Sequence, residues 1–141
     1  MPGVDLVDET FIVAAPTDLA AVVADPARWD EWWPELKLTV FMDRGERGIR
    51  WSVSGSMVGS CEIWLEPVQD GTLVHHYLRV EPADPSVPQG SRPYPDSPAG
   101  WRHAAKERDR FARAWKKHVW ALKDEMEGDR EVGLGRDHTP S

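Results

Sequence analysis

The last regular segment of this chain constrains it most. From Ser97 or Arg102 to Glu127, just before Gly128, the sequence repeats with helical period. At about 100° per residue, Trp101, Ala104, Arg108, Phe111, Ala112, Trp115, Val119, Leu122 and Met126 fall on one stripe. A stripe that long has to be covered by another layer. With 141 residues the chain is one domain, large enough to bury a core without staples.

The upstream residues predict what that layer is. Residues 8–14 read as a first strand, ended by Pro16. Thr17 offers a cap for a short helix over 18–24. Asp25-Pro26 starts a second helix, and Pro34 ends it, because proline disfavours helical geometry in the residue before it. That helix carries Trp29, Trp32 and Trp33, with at least one indole expected at a pocket mouth or on the surface. From Lys37 the period drops to two: Leu38, Val40 and Met42 alternate with Lys37, Thr39 and Asp43. After the Arg44–Gly48 turn, Ile49, Trp51 and Val53 alternate with Arg50, Ser52 and Ser54.

Asp70-Gly71 is the strongest hairpin signal in the chain. A two-residue turn there pairs Glu66 with His75, Trp64 with Tyr77 and Glu62 with Arg79 on one face. Leu65 with His76, Ile63 with Leu78 and Cys61 with Val80 form the other, apolar face. Six of the 12 prolines lie in residues 82–98, so 82–101 is expected to be a proline-rich lid loop. Residues 1–128 form the single domain, and 129–141 read as a disordered tail.

Composition excludes several classes. Apolar residues at 40% and charged residues at 29% fit an ordinary globular protein. A single cysteine, Cys61, rules out an internal disulfide and a cysteine-based zinc site. His75 and His76 point to opposite faces of a strand, and no histidine pair has i, i+4 spacing, so no metal is expected. There is no phosphate-cradling glycine loop and no nucleophile elbow, and no cofactor is expected. The net charge is −7, yet Arg102 to Lys123 holds eight basic and two acidic residues. One basic element on an acidic protein does not make a nucleic-acid binder. No apolar run spans a bilayer and the N-terminus lacks a secretory pattern, so the expected location is cytoplasmic. Eight tryptophans stand against 3 phenylalanines and 2 tyrosines; twelve arginines against five lysines, with no asparagine, is the bias of a GC-rich bacterial genome.

The residues Ala15-Pro16, Asp25-Pro26-Ala27-Arg28-Trp29-Asp30-Glu31-Trp32-Trp33-Pro34, and Leu65-Glu66-Pro67 before Asp70-Gly71-Thr72 carry a resemblance over residues 8–127. On them the chain resembles the START/birch-pollen-allergen helix-grip superfamily (SRPBCC), in its polyketide cyclase/dehydrase and lipid-transport branch. The resemblance implies an α+β fold: a curved antiparallel sheet gripping a long C-terminal helix, with two short helices after the first strand. It also implies a cavity between sheet and helix that takes a hydrophobic ligand such as a lipid, sterol or polyketide. The sequence departs from the pattern in offering four meander strands after the helical pair, where the family usually has six.

Candidate site residues follow from the faces. Trp33, Trp51, Val53, Cys61, Ile63, Leu78, Phe111 and Trp115 would wall a ligand cavity, and the plainer reading is that they fill the core. His76 on the inward face and Arg108 on the helix stripe would be the acid–base and enolate-stabilising groups of a cyclase-type enzyme. Their plainer readings are a hydrogen-bonded core histidine and an internal ion pair. Glu62, Glu66, His75 and Arg79 read as cross-strand pairs on a solvated face, and become the cavity lining if the face assignment is inverted. Trp120 projects from the polar face of the helix, where it would anchor a protein partner or a homodimer contact. Three functions follow: binding of a hydrophobic or aromatic small molecule, cyclase or aromatase chemistry, and protein interaction through Trp120.

Overall fold

Strand β1 spans Val4–Ile12 in the computed structural model, which describes residues 3–88 and 90–128. It starts earlier than residue 8 because the alternation does: Val4, Leu6, Thr10 and Ile12 are buried, while Asp5 and Val7 are exposed. Helix α1, Pro16–Val23, is capped by Ala15 without a side-chain bond. Thr17 therefore lies inside the helix, since Pro16 already occupies its first turn. Helix α2, Pro26–Trp32, begins as its sequence predicts, with the Asp25 carboxylate accepting from the Ala27 N–H at 3.0 Å.

Trp33 leaves the helical path at φ −134°, ψ 67°, as Pro34 requires. Positions 29, 32 and 33 share one helix face. Trp32 and Trp33 are buried, and Trp29 is half-buried and packs against the core.

Four strands follow: β2 Leu36–Asp43, β3 Gly48–Gly55, β4 Met57–Val68 and β5 Gly71–Pro82. They form a meander, and β1 closes the antiparallel sheet on β5, giving the order β1-β5-β4-β3-β2. The alternation expected along β2 fails beyond Leu38: Val40, Phe41 and Met42 are all exposed on this edge strand, and the register shifts between Val40 and Met42.

The β4–β5 hairpin keeps its predicted faces and changes its register. Val68 pairs with Gly71, so the turn residues are Gln69 and Asp70. Trp64 then faces His75, Ile63 faces His76, and Cys61 faces Leu78. Gly71 is drawn into the strand because β1 passes so close that a Cβ there would lie 2.4 Å from the Ile12 carbonyl oxygen. The positive φ falls on Gln69 instead, at 51°. Every partner moves by two positions, which preserves both faces.

Residues 83–97 form the loop before α3, pinned by the buried ring of Tyr94, whose centroid lies 4.6 Å from that of His103. Residues 98–101 are helical rather than loop, because Ser97 accepts from the Gly100 N–H at 3.1 Å and starts α3, Pro98–Glu127. The buried stripe of α3 is Gly100, Ala104, Phe111, Trp115, Val119 and Leu122. Trp101 and Arg108, which the projection includes, are exposed.

The basic excess of α3 meets the acidic first strand. Arg108 Nε donates to the Asp5 carbonyl at 3.2 Å, Lys116 Nζ lies 2.7 Å from Asp8 Oδ1, and Lys123 Nζ donates to the Phe11 carbonyl at 2.8 Å. Helix and β1 edge are thereby joined, and that edge is covered against pairing with another strand. Among the described residues no helix is long and apolar enough to cross a membrane. The proposed tail, 129–141, lies outside the described residues.

Candidate functional site

Between the inward face of the sheet and α3, the core is built from touching rings. Trp33 and Trp115 stack with centroids 5.6 Å apart and planes at 6°. Trp32 meets both of them edge-on at 5.7 Å. Trp51 joins through Trp33 at 5.6 Å and Trp29 at 5.2 Å. His76 lies against Trp115 at 4.3 Å and Trp33 at 5.4 Å. Rings in such edge-on and offset arrangements contribute beyond the area they bury.

Trp115 is held in place by Asp8, which alternation turns inward on β1. Its carboxylate accepts from Trp115 Nε1 at 3.1 Å and from the Thr10 hydroxyl at 3.0 Å, and pairs with Lys116. A carboxylate this buried has to be paired, and all three contacts are supplied locally.

Where the α2–β2 corner meets α3, the packing leaves an open cleft of about 370 Å³. Trp32, Trp33, Pro34 and Glu35 line it from the corner, and Arg110, Phe111, Ala114, Trp115 and His118 line it from the helix. Four aromatic rings thus form the apolar wall. At the rim, Arg110 bridges Glu35 and Glu107 at 2.7 Å each and lies 4.6 Å from the centre of the Phe111 ring. Those two carboxylates raise the Arg110 pKa further and fix its charge. Burial lowers the pKa of His118. The volume is at the lower end for small-molecule sites, roughly 300–1,000 Å³. A second cleft of about 400 Å³, between Pro16, Glu46, Arg47 and Trp64–Pro67, has one aromatic ring and three charged side chains. The first carries the larger aromatic wall.

Of the residues singled out in the sequence, Trp33, Phe111 and Trp115 line the cleft. Trp51, Val53, Cys61, Ile63 and Leu78 lie behind them, each 3% exposed or less. Burial raises the Cys61 thiol well above its usual pKa and keeps it protonated. His76 is fully buried, and burial lowers its pKa to about 4. The structure does not bring His76 and Arg108 together: the arginine is exposed over the β1 edge, where it meets the Asp5 carbonyl and, at 3.6 Å, Asp109.

The outward set also separates. Glu62 pairs with Arg44 at 3.1 Å, and Arg79 with Asp5 at 3.3 Å. His75 lies between Glu66 at 2.9 Å and Glu9 at 3.4 Å, stacked on Trp64. Trp120 is 59% exposed, with Lys116 Nζ 6.0 Å from its ring centre. The sequence points to Trp32 only as one of three indoles with a member at a pocket mouth, and sequence reasoning missed Asp8, Glu35, Arg110 and His118. Only Asp8 carried a signal, as a charge on the apolar parity of a strand that starts at Val4.

One antiparallel sheet wrapped on one long C-terminal helix, with a ring-lined cleft where the α2–β2 corner meets that helix, defines the class: this is an α+β helix-grip fold. The sequence matches no protein-family model and no curated protein. Three solved structures are similar across nearly the whole chain. A Deinococcus radiodurans protein is 15% identical, with 92% of this chain and 98% of that one covered and a TM-score of 0.59. An AHSA1-like protein from Rhizobium etli is 14% identical, with 100% and 98% covered and a TM-score of 0.56. Aha1 from Colwellia psychrerythraea, described as a dimer, is 15% identical, with 94% and 99% covered and a TM-score of 0.53. At these identities the likeness is one of fold.

Proposed function

We propose that the chain binds a hydrophobic or aromatic small molecule, lipid- or polyketide-like, in the cleft between the α2–β2 corner and α3. The observation that carries this reading is the wall of Trp32, Trp33, Phe111 and Trp115 around an opening of about 370 Å³. Flat rings stack on flat ligands, and the charged rim of Glu35, Arg110 and His118 orients whatever polar end remains outside. The test is a fluorescence titration with 8-anilinonaphthalene-1-sulfonate. Ala114 is exposed at the cleft, so Ala114→Trp fills the opening without disturbing the core. The reading expects saturable binding that Ala114→Trp weakens at least tenfold with Tm unchanged. Equal binding by the variant contradicts it.

A second reading, self-association through the outer face of α3, is favoured by the exposure of Trp120. A dimer by sedimentation velocity that Trp120→Ala converts to monomer would support it. A monomer in the unaltered chain would dismiss it.

A further inference from the structure

Among the described residues, two buried polar atoms in the ring cluster have no hydrogen-bond partner: Nε1 of Trp51 and Nε2 of His76. Both residues are 0% exposed. The third such atom, Nδ1 of His75, lies on the other face of the sheet, 3.4 Å from the Glu9 carboxylate. The roles of the first two are fixed. An indole nitrogen only donates. His76 Nδ1 lies 3.2 Å from the Glu62 carbonyl oxygen, which only accepts, so Nδ1 carries the proton and Nε2 presents a lone pair. The core therefore offers one donor and one acceptor.

Both rings touch the same neighbour. Trp33 lies 5.6 Å from Trp51 and 5.4 Å from His76, centroid to centroid, and its indole also lines the cleft. Of the rings lining the cleft, Trp33 is thus the one in contact with both Trp51 and His76; Trp115 covers His76 alone, at 4.3 Å. Trp33 is the C-cap of α2, where the backbone has already left the helix.

We propose that Trp51 Nε1 and His76 Nε2 read oxygen on the bound molecule once the Trp33 indole swings aside, selecting an apolar ring system that bears a hydroxyl. The hydroxyl donates to His76 Nε2, and an oxygen, of the same hydroxyl or a neighbouring carbonyl, accepts from Trp51 Nε1. This deepens the cleft-binding reading and rests on it. The chemistry favours a neutral ligand. An anion would come to rest near Asp8, the inward carboxylate in register with His76, with Lys116 already engaged by Asp8 and Thr10. A pure hydrocarbon would leave both atoms unpaired, which is unfavourable in a buried site.

The experiment is calorimetric titration at neutral pH with three matched probes: 1-naphthol, 1-methoxynaphthalene and naphthalene. The methoxy compound can accept from Trp51 and cannot donate to His76. In the unaltered chain, 1-naphthol is expected to bind about tenfold tighter than naphthalene, with 1-methoxynaphthalene between them. Trp51→Phe and His76→Phe should each reduce the naphthol advantage to about threefold or less while naphthalene still binds. The Trp51 indole N–H resonance gives a readout that needs no variant: it should move downfield with 1-naphthol and not with naphthalene. Equal affinity for all three probes overturns the oxygen-reading pair and leaves the cleft reading standing. A naphthol preference that survives in both variants places the hydroxyl contact at the rim and also overturns the pair. No binding of any probe overturns the cleft reading, and this inference with it.

Discussion

His75 and His76 are adjacent, both are buried, and they live in opposite kinds of environment. His75 faces outward, stacked 4.4 Å from Trp64, with Glu66 and Glu9 beside its two nitrogens. Those carboxylates are themselves half in water, so their contacts are screened and weak individually. His76 faces inward, between Trp33 and Trp115, with one nitrogen on a backbone carbonyl. The charge that acts on it is the inward Asp8 carboxylate, itself paired with Lys116. One face of the sheet pairs polar groups at its surface; the other seals a neutral imidazole beneath indoles. The comparison teaches that the aromatic face should dominate stability and hold the ligand, while the polar face should tolerate change.

Trp115→Ala is the strongest way to break this contrast. It removes the ring that stacks on Trp33, covers His76 and satisfies Asp8, and a loss of about 3–5 kcal/mol is expected in urea unfolding. Acid provides the next test. The folded state holds the pKa of His76 at about 4 against 6.5 in an ordinary histidine, so the unfolded chain takes up its proton first as pH falls. Stability from this group is complete above about pH 6.5 and is lost between about pH 6.5 and 4, by on the order of 3 kcal/mol. Unfolding curves across that window should show this loss in the unaltered chain, and His76→Phe should lack it.

On the outward face, Glu66→Gln removes one partner of His75 and should cost no more than about 1 kcal/mol. A loss as large as that of Trp115→Ala would erase the distinction between the faces. Trp120→Ala is the smallest change, within about 0.5 kcal/mol, because its ring is mostly in water.

Much of this architecture is legible in the sequence, and the reasons are local. The Asp25-Pro26 start of α2, the Ser97 cap of α3 and the alternation of β3, β4 and β5 depend on neighbouring residues. The two faces of the hairpin were readable because a strand has period two, even though its turn sits at Gln69-Asp70. What was not legible depends on distant chain. Gly71 joins the strand where β1 pairs alongside β5 and the Ile12 carbonyl leaves no room for a Cβ. The exposure of Arg108 reflects which flank of α3 meets β1. The cleft was hidden for the same reason: its two walls, 32–35 and 110–118, are far apart in sequence and meet only through the wrap of the sheet.

The eight tryptophans make the central claim directly measurable, because each indole N–H gives its own resonance. A two-dimensional ¹H–¹⁵N spectrum of the indole region, titrated with 1-naphthol, reports every ring at once. Binding in the cleft predicts progressive shifts at Trp32, Trp33, Trp51 and Trp115, with Trp64, Trp101 and Trp120 unmoved. Shifts confined to Trp64, Trp101 or Trp120 would place binding on the outer surfaces and contradict the account.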